Sequence, residues 1–235
     1  MDLLKDGLTE LCKADNDIAI CIHNKIDELS SRLERYIAEI ELFNPVYGLV
    51  SCKNRDELII RHILDSLSPL GIIIRELNRK ENEAGMGADS ASVIADAGSG
   101  AGLPGVPLAM TLEDRKFVLI ERMERRADFL RNVSALLKLK NVSIEQNPIE
   151  NLHKSSFDII TFRAFRPLSA DLLKTLFRLL KPNGTLAAYK GRNEKIQEEA
   201  RSEPEAEWSV FPCPVPFLQE ERHLALISQR KSYSR

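Results

Sequence analysis

Apolar residues recur every three or four positions at Ile22, Ile26, Leu29, Leu33, Tyr36/Ile37 and Ile40. That spacing is one stripe of an amphipathic helix. The pattern predicts a stop at Phe43-Asn44-Pro45, because proline cannot donate to the helical ladder. A second helix is expected from Asn54, with Glu57 three residues on as in a capping box and an apolar face of Ile59, Ile63/Leu64 and Leu67. A third helical piece follows from Gly71 to Leu77. Residues 1–77 therefore read as a helical extension. Residues 78–92 show no period and many small or polar side chains, and read as a flexible loop.

From residue 93 the texture changes, and residues 93–235 read as a second region within one structural unit. Short β-branched runs at Val93–Ala95, Phe117–Ile120, Val142–Ile144, Phe157–Thr161 and Leu186–Tyr189 alternate with amphipathic stretches near 105–112, 122–140, 168–180 and 193–201. Strand–helix alternation predicts βαβ units and a mainly parallel sheet. The tail departs from this: Trp208–Val215 and His223–Ser228 have no helix between them and predict an antiparallel hairpin at the sheet edge. The expected architecture is α/β, a doubly wound, mainly parallel, seven-stranded Rossmann-like sheet behind an N-terminal helical extension. Five parallel strands closed by such a hairpin is the layout of class I methyltransferases that use S-adenosylmethionine (SAM).

Composition narrows the setting. The chain has 235 residues, 43% of them hydrophobic and 29% charged, which suits a globular protein. No apolar run approaches the roughly 18–20 residues needed to cross a membrane. The opening Met1-Asp2-Leu3-Leu4-Lys5 lacks a basic segment followed by an apolar one. A cytoplasmic monomer without a membrane partner is expected. Cys12, Cys21, Cys52 and Cys213 form no C-x-x-C pair and have no clustered histidines, so neither a disulfide framework nor a metal site is expected. The net charge of −2 hides a segregation: residues 1–45 carry 5 Lys/Arg against 10 Asp/Glu, residues 115–140 carry 8 against 3, and residues 161–192 carry 7 against 1. The two basic stretches suggest one local basic face, with ordinary solvated helix surfaces as the alternative that charge alone leaves open.

The sharpest motif is Asp96-Ala97-Gly98-Ser99-Gly100-Ala101-Gly102-Leu103-Pro104-Gly105, directly after the first strand. Glycines there let the backbone turn tightly and approach a ligand at the carboxyl end of the strands. Two cofactors compete for it. Gly100 to Gly105 matches the G-x-G-x-x-G of nicotinamide dinucleotide sites, with Glu121 some twenty residues on. Asp96 two residues before Gly98, with Gly100 and Gly102 following, instead has the form typical of SAM sites. A carboxylate suits the positive sulfonium and amino groups of SAM and would repel a pyrophosphate. Little chain remains for the substrate domain of an oxidoreductase. SAM is the favoured cofactor, and a nicotinamide-dependent oxidoreductase is the alternative. Glu121 can accept both ribose hydroxyls of an adenosine. Ile149 is placed on the adenine face and Glu150 near its polar edge.

Phe157 to Arg166 runs off the fourth strand toward the transferred methyl group. The Asn/Asp-Pro-Pro-aromatic turn of amine methyltransferases is absent there, and so is the cysteine that attack on pyrimidine C5 requires. Cys213, between two prolines, reads as an edge-strand residue, and His62 as a hydrogen-bonded interior histidine. Arg163 and Arg166 stand at the strand end. Cations suit a phosphate backbone or a purine N7/O6 edge. Guanine N7 has a free lone pair and no proton to lose, so catalysis there needs positioning and no general base. Arg122, Arg125, Arg126, Arg131, Arg166, Lys190 and Arg192 are the candidate RNA-facing cations. A SAM-dependent methyltransferase with another substrate and a non-enzymatic SAM- or RNA-binding module remain open at this point.

Arg61-His62-Ile63-Leu64-Asp65-Ser66, the glycine motif with its extension to Ala109, Arg125/Arg126 with Phe129-Leu130-Arg131, Phe157-Asp158 to Phe165, Lys190-Gly191 and Glu221-Arg222-His223-Leu224 occur in that order. Together they resemble the bacterial small-subunit rRNA guanine-N7 methyltransferase family (RsmG, or GidB). The resemblance implies a SAM-dependent enzyme acting on N7 of one guanine in 16S rRNA, in the small ribosomal subunit or an assembly intermediate. It also implies SAM contacts at Gly98, Leu103, Ile149, Glu150 and Arg163.

Overall fold

The structure is a computed structural model that describes residues 2–84, 92–164 and 168–230. Seven strands form one sheet: β1 Val93–Ala97, β2 Lys116–Ile120, β3 Val142–Glu145, β4 Phe157–Arg163, β5 Leu180–Lys190, β6 Ala206–Pro212 and β7 His223–Gln229. Their order is β3-β2-β1-β4-β5-β7-β6. β1 to β5 pair in parallel, whereas β7 runs antiparallel to both β5 and β6. The α/β sheet closed by a hairpin is thus the observed architecture.

The strands alternate between two cores, as the two-residue period of a pleated sheet requires. Ile94, Phe117, Leu119 and Ile159 join the core that also contains the helical extension, α7 (Gly105–Thr111) and α8 (Glu124–Leu136). Ala95, Ile120, Ile160 and Leu186 join the opposite core with α9 (Ala170–Leu179) and α10 (Asn193–Ser202). The extension therefore packs as one layer of the same body. Among the described residues, no helix is long and apolar enough to cross a membrane.

The extension opens with two short capped helices, α1 (Leu3–Ala14) and α2 (Asn16–Ile22). Asp2 accepts from Lys5 N and Asp15 from Asp17 N, the usual answer to unpaired first-turn donors. Ile22 ends α2, and the long helix α3 begins at Ile26 and runs to Tyr47. The stop expected at Phe43-Asn44-Pro45 is corrected: Pro45 lies inside α3, which ends at Gly48 with φ +57, its N–H reaching the Asn44 carbonyl at 2.9 Å. Phe43 packs on Tyr47 and edge-on to Phe129, which favours carrying the helix through the proline.

Asn54 does cap the next helix, accepting from Glu57 N at 2.9 Å. That helix is α4 (Arg55–Leu58), a π-helical stretch over Ile59–Leu64, and α5 (Asp65–Leu67). The last helix, α6, spans Leu70–Ala84 and so occupies the first half of the segment expected to be a loop. Its charged residues hold it: Arg79 pairs with Glu76 and Glu83, and Glu81 accepts from Ser92 and pairs with Arg115. Intrahelical pairs at these spacings support a helix whose composition alone looks like loop. Residues 85–91 lie outside the described part.

One contact joins extension to glycine loop. Tyr36, fully buried on the α3 stripe, donates its hydroxyl to the Ala101 carbonyl at 2.6 Å. Tyr36→Phe would leave a buried carbonyl unsatisfied, so it is expected to destabilise the fold by about 1–3 kcal/mol. Urea unfolding measures this, and an unchanged midpoint would refute the role.

Candidate active site at the carboxyl ends of the strands

A crevice of about 650 Å³ opens where β1, β4 and β5 end. The glycine loop (Gly98–Leu103) forms one wall, and Arg163, Lys190 and Gly191 stand at the ends of β4 and β5. The extension adds Leu49–Ser51, Arg61, His62 and Asp65, and the β6–β7 hairpin adds Cys213, Arg222 and His223. A second hollow of about 280 Å³ is lined by Ile120 to Met123 and Asn147 to Glu150. Both hollows share Gly98, Arg126 and Ala164, so together they form one two-lobed space across the glycine loop.

The glycines divide by role. Gly98, Gly100 and Gly102 all have positive φ. A Cβ on Gly100 would meet only the Gly98 carbonyl, at 3.9 Å, so packing does not demand glycine there; the φ of +57 does, and the bare backbone faces the crevice. Gly102 is different. Its Cβ would strike Val106 at 2.5 Å and Leu130 at 2.9 Å, and it lines neither hollow. What the structure shows for Gly102 is close packing of loop against helix.

Asp96 also faces inward. It is 1% exposed and lines neither hollow. Its Oδ2 accepts from the Ser99 hydroxyl at 2.9 Å and from Gly105 N–H at 3.1 Å, and its Oδ1 from the Thr161 hydroxyl at 3.2 Å. Burial pushes its pKa up to about 6, against the pull of these donors. Its charge acts on the loop from behind. It also bears on the choice of cofactor. In dinucleotide folds the pyrophosphate sits on the N-terminus of the helix after β1. Here the leading N–H of α7 is already capped by a carboxylate. The antiparallel β7 between β5 and β6 also departs from the 3-2-1-4-5-6 order of those folds.

The second hollow carries groups that can meet an adenosine. Glu121, 5% exposed, accepts from Gly100 N at 3.0 Å and from Met123 N at 2.9 Å, one bond per oxygen. Each oxygen keeps a lone pair, enough for two ribose hydroxyls. Ile149 is buried in a 3-10 turn (Ile149–Asn151) with Glu150 beside it, both lining the hollow. Arg126, where the lobes meet, donates to the Gly48 carbonyl at 3.2 Å, while its Nε is buried with no partner among the described residues. An orphan donor of this kind suits a ligand that carries acceptors.

In the first lobe the charged groups are tied to one another. Arg163 donates through Nη1 to Asp65 Oδ2 at 2.8 Å and to the Arg61 carbonyl at 3.3 Å, and through Nη2 to His62 Nδ1 at 3.2 Å. Asp65, 4% exposed, also takes Arg222 Nε at 3.1 Å. With Nδ1 accepting, His62 carries its proton on Nε2 and donates it to the Ser51 carbonyl at 3.2 Å. Burial and the Arg163 charge hold its pKa below the usual histidine range. The hydrogen-bonded histidine expected from the sequence is present, but it faces the crevice. Cys213 also lines the crevice, not merely an edge strand, and burial pushes its thiol up to about 12, far from a thiolate nucleophile.

The basic face is only partly free. Arg131 is held by Asp128 and Gln146, and Lys190 by Glu199 at 2.5 Å. Among the described residues, Arg122, Arg125 and Arg192 are exposed and make no ion pair. Arg166 lies outside the described residues. Sequence reasoning missed Tyr36, Asp65, Arg61 and Arg222 as site builders. Tyr36 looked like one more apolar stripe position. The other three sit in the segments that carried the family resemblance, which marked them without saying what they do. No group of three or more potential metal ligands occurs among the described residues.

Comparison with known proteins gives a consistent result. The sequence model of the GidB family, rRNA small subunit methyltransferase G, matches residues 29–225. The protein named ribosomal RNA small subunit methyltransferase G from Treponema denticola is 38% identical over 249 residues, covering 97% of this chain and 96% of that one. The Treponema pallidum (strain Nichols) protein of the same name is 38% identical over 229 residues, covering 96% and 92%. Among solved structures, a SAM dependent methyltransferase from Aquifex aeolicus aligns with a TM-score of 0.48 at 21% identity, covering 70% of this chain and 94% of that one.

Two outcomes are expected from the loop. Gly98→Asp should weaken S-adenosylhomocysteine binding by roughly a hundredfold or more in calorimetry with the far-UV circular dichroism unchanged, since it adds a side chain at positive φ on the lining of both hollows. Asp96 should set a pH trend. Between 3.8 and about 6 the unfolded chain has lost this proton while the folded chain keeps it, so its contribution to stability falls as pH rises. The stability of the wild type relative to Asp96→Asn, from urea unfolding, should drop by up to about 3 kcal/mol from pH 4 to pH 7. A rise would refute the burial argument.

Proposed function

The chain belongs to the rRNA small subunit methyltransferase G family, and we propose that it transfers the methyl group of SAM to N7 of one guanine in 16S rRNA. When bound, SAM supplies a methyl carbon made electrophilic by a positively charged sulfur. Glu121, Ile149 and Glu150 hold the adenosine, and the backbone at Gly98 and Gly100 with Leu103 forms the wall beside the sulfur-bearing arm. Arg163, braced by Asp65 and His62, shapes the wall on which the guanine rests and supports the cofactor side indirectly. Arg122, Arg125, Arg126 and Arg192 face the RNA, with Lys190 and Arg131 available once their acidic partners yield, and Arg166 is assigned to RNA binding from its sequence position alone.

The observation that carries the N7 reading is the state of the proton acceptors in the crevice. Both oxygens of Asp65 are engaged by arginines, both ring nitrogens of His62 are hydrogen-bonded, and Cys213 is held protonated. His223 bonds the Gly191 carbonyl through Nδ1 at 2.7 Å, and its other ring nitrogen has no partner among the described residues. An exocyclic amine must shed a proton when methylated, and a pyrimidine C5 needs a thiolate first. N7 needs neither, only a lone pair aligned with the methyl carbon and the sulfur. A crevice rich in cations and poor in bases suits that chemistry, because guanine offers the N7 and O6 acceptors on one edge.

Mass spectrometry of 16S rRNA from cells lacking the protein tests the reading. One 7-methylguanosine should be missing, and the purified protein with SAM should restore it on the naked RNA, the small subunit or an assembly intermediate. His223→Gln tests the base-free mechanism. Loss of a general base typically slows a reaction 10²–10⁴-fold; here the single-turnover rate is expected to fall less than about tenfold. A larger fall at unchanged SAM affinity would count against N7 as the acceptor.

A further inference from the structure

A second cleft of about 740 Å³ lies beside the crevice and shares Arg61, Gly191 and Arg222 with it. Arg192, Asn193, Glu194, Glu220 and Glu221 complete its lining. A nucleotide whose base enters the crevice must lead its sugar–phosphate chain out over such a shared rim. We propose that Arg61 is a phosphodiester-binding subsite for that RNA strand, and that Glu220 occupies it in the free protein in place of the phosphate. The proposal rests on the rRNA methyltransferase reading.

The geometry around Arg61 supports the assignment. Glu57, one turn earlier, takes its Nε at 3.0 Å and is itself anchored by Lys53 N at 2.6 Å. The Arg61 carbonyl accepts from Arg163. The side chain is thus oriented from behind, and its outward Nη2 is ion-paired with Glu220, which comes from the β6–β7 connection 159 residues away. A guanidinium fork that fits a carboxylate also fits a phosphate. Arg61 and Glu220 are 36% and 49% exposed, so their pair is of the kind that contributes little and exchanges readily. Arg222, by contrast, is locked on buried Asp65 and cannot change partners without leaving that carboxylate unpaired in the interior. Arg61 is therefore the cation at this rim whose partner can leave.

The test compares wild type, Arg61→Ala, Glu220→Gln and the double variant. Binding is measured to in-vitro transcribed 16S rRNA and to small subunits lacking the methyl group, across a salt series, with S-adenosylhomocysteine affinity measured in parallel. Arg61→Ala should weaken RNA binding roughly tenfold and lower the slope of log K against log salt by about 0.7, one single-strand phosphate contact. Glu220→Gln should tighten RNA binding about two- to fivefold, the range of an exposed ion pair, and should have no effect once Arg61 is gone. S-adenosylhomocysteine affinity should stay within about twofold in all variants. A neutral or weakening Glu220→Gln, or a gain that persists without Arg61, overturns the subsite while leaving the methyltransferase reading intact. If the wild type neither binds nor methylates either RNA, the functional reading fails and the subsite with it.

Discussion

A charge buried at the end of a central strand must be met by donors or the strand end cannot stay where it is. Asp96 is that charge. Its three donors come from three different elements: Ser99 from the glycine loop, Gly105 from the start of α7 and Thr161 from β4. The carboxylate therefore fixes the loop against both the helix that follows it and the neighbouring strand. Gly105 is glycine for the same reason, since a Cβ would stand 2.8 Å from Asp96 Oδ2 and 2.4 Å from Leu119. With that corner fixed, the ends of β1 and β4 stay locked side by side and the backbone of Gly98 to Gly100 lies bare beside the crevice.

The extension completes the site from the other side. Tyr36 holds the loop by its Ala101 carbonyl, and the π-helical stretch brings Arg61 and His62, with Asp65 just beyond, to the crevice wall. π-Helical turns are rare and often mark functional positions. Asp65 then joins three parts of the chain: its own helix, Arg163 at the end of β4 and Arg222 at the start of β7. Each oxygen of this buried carboxylate takes one guanidinium N–H, so Asp65 is held between two cations. The same bonds make Arg163 a brace between extension and sheet.

Much of this was legible in the amino-acid order. The strands could be located because each is a short apolar or β-branched run between polar segments, and the hairpin because no helical period separates 208–215 from 223–228. The glycine motif and Glu121 pointed to the crevice and to the hollow beside it. What the pattern could not show falls into two kinds. Helix ends were misjudged where tertiary contacts outweigh local preference: Phe43 packing carries α3 past Pro45, and ion pairs carry α6 to Ala84. Side-chain direction was also invisible. Asp96 and Gly102 belong to the motif, yet they face inward, because a motif gives residue type and spacing but not which face of a turn looks toward solvent. The partners of Arg163 lie about a hundred residues away, at Arg61, His62 and Asp65, beyond the reach of any local reading.

Because the core beneath the extension continues through one whole face of the sheet, the crevice walls are parts of a single packed solid. Interiors of that density resist deformation and do not open gradually. An arriving RNA meets walls of set shape under a rim of exchangeable side-chain pairs, and the larger adaptation falls to the nucleic acid. The target base must unstack and swing out of its own helix or loop, which typically requires a few kcal/mol and least where the base is already unpaired. Recognition by such a rigid receptor selects an RNA conformation as much as a sequence, so the fold of the rRNA around the target takes part in deciding which nucleotide is reached.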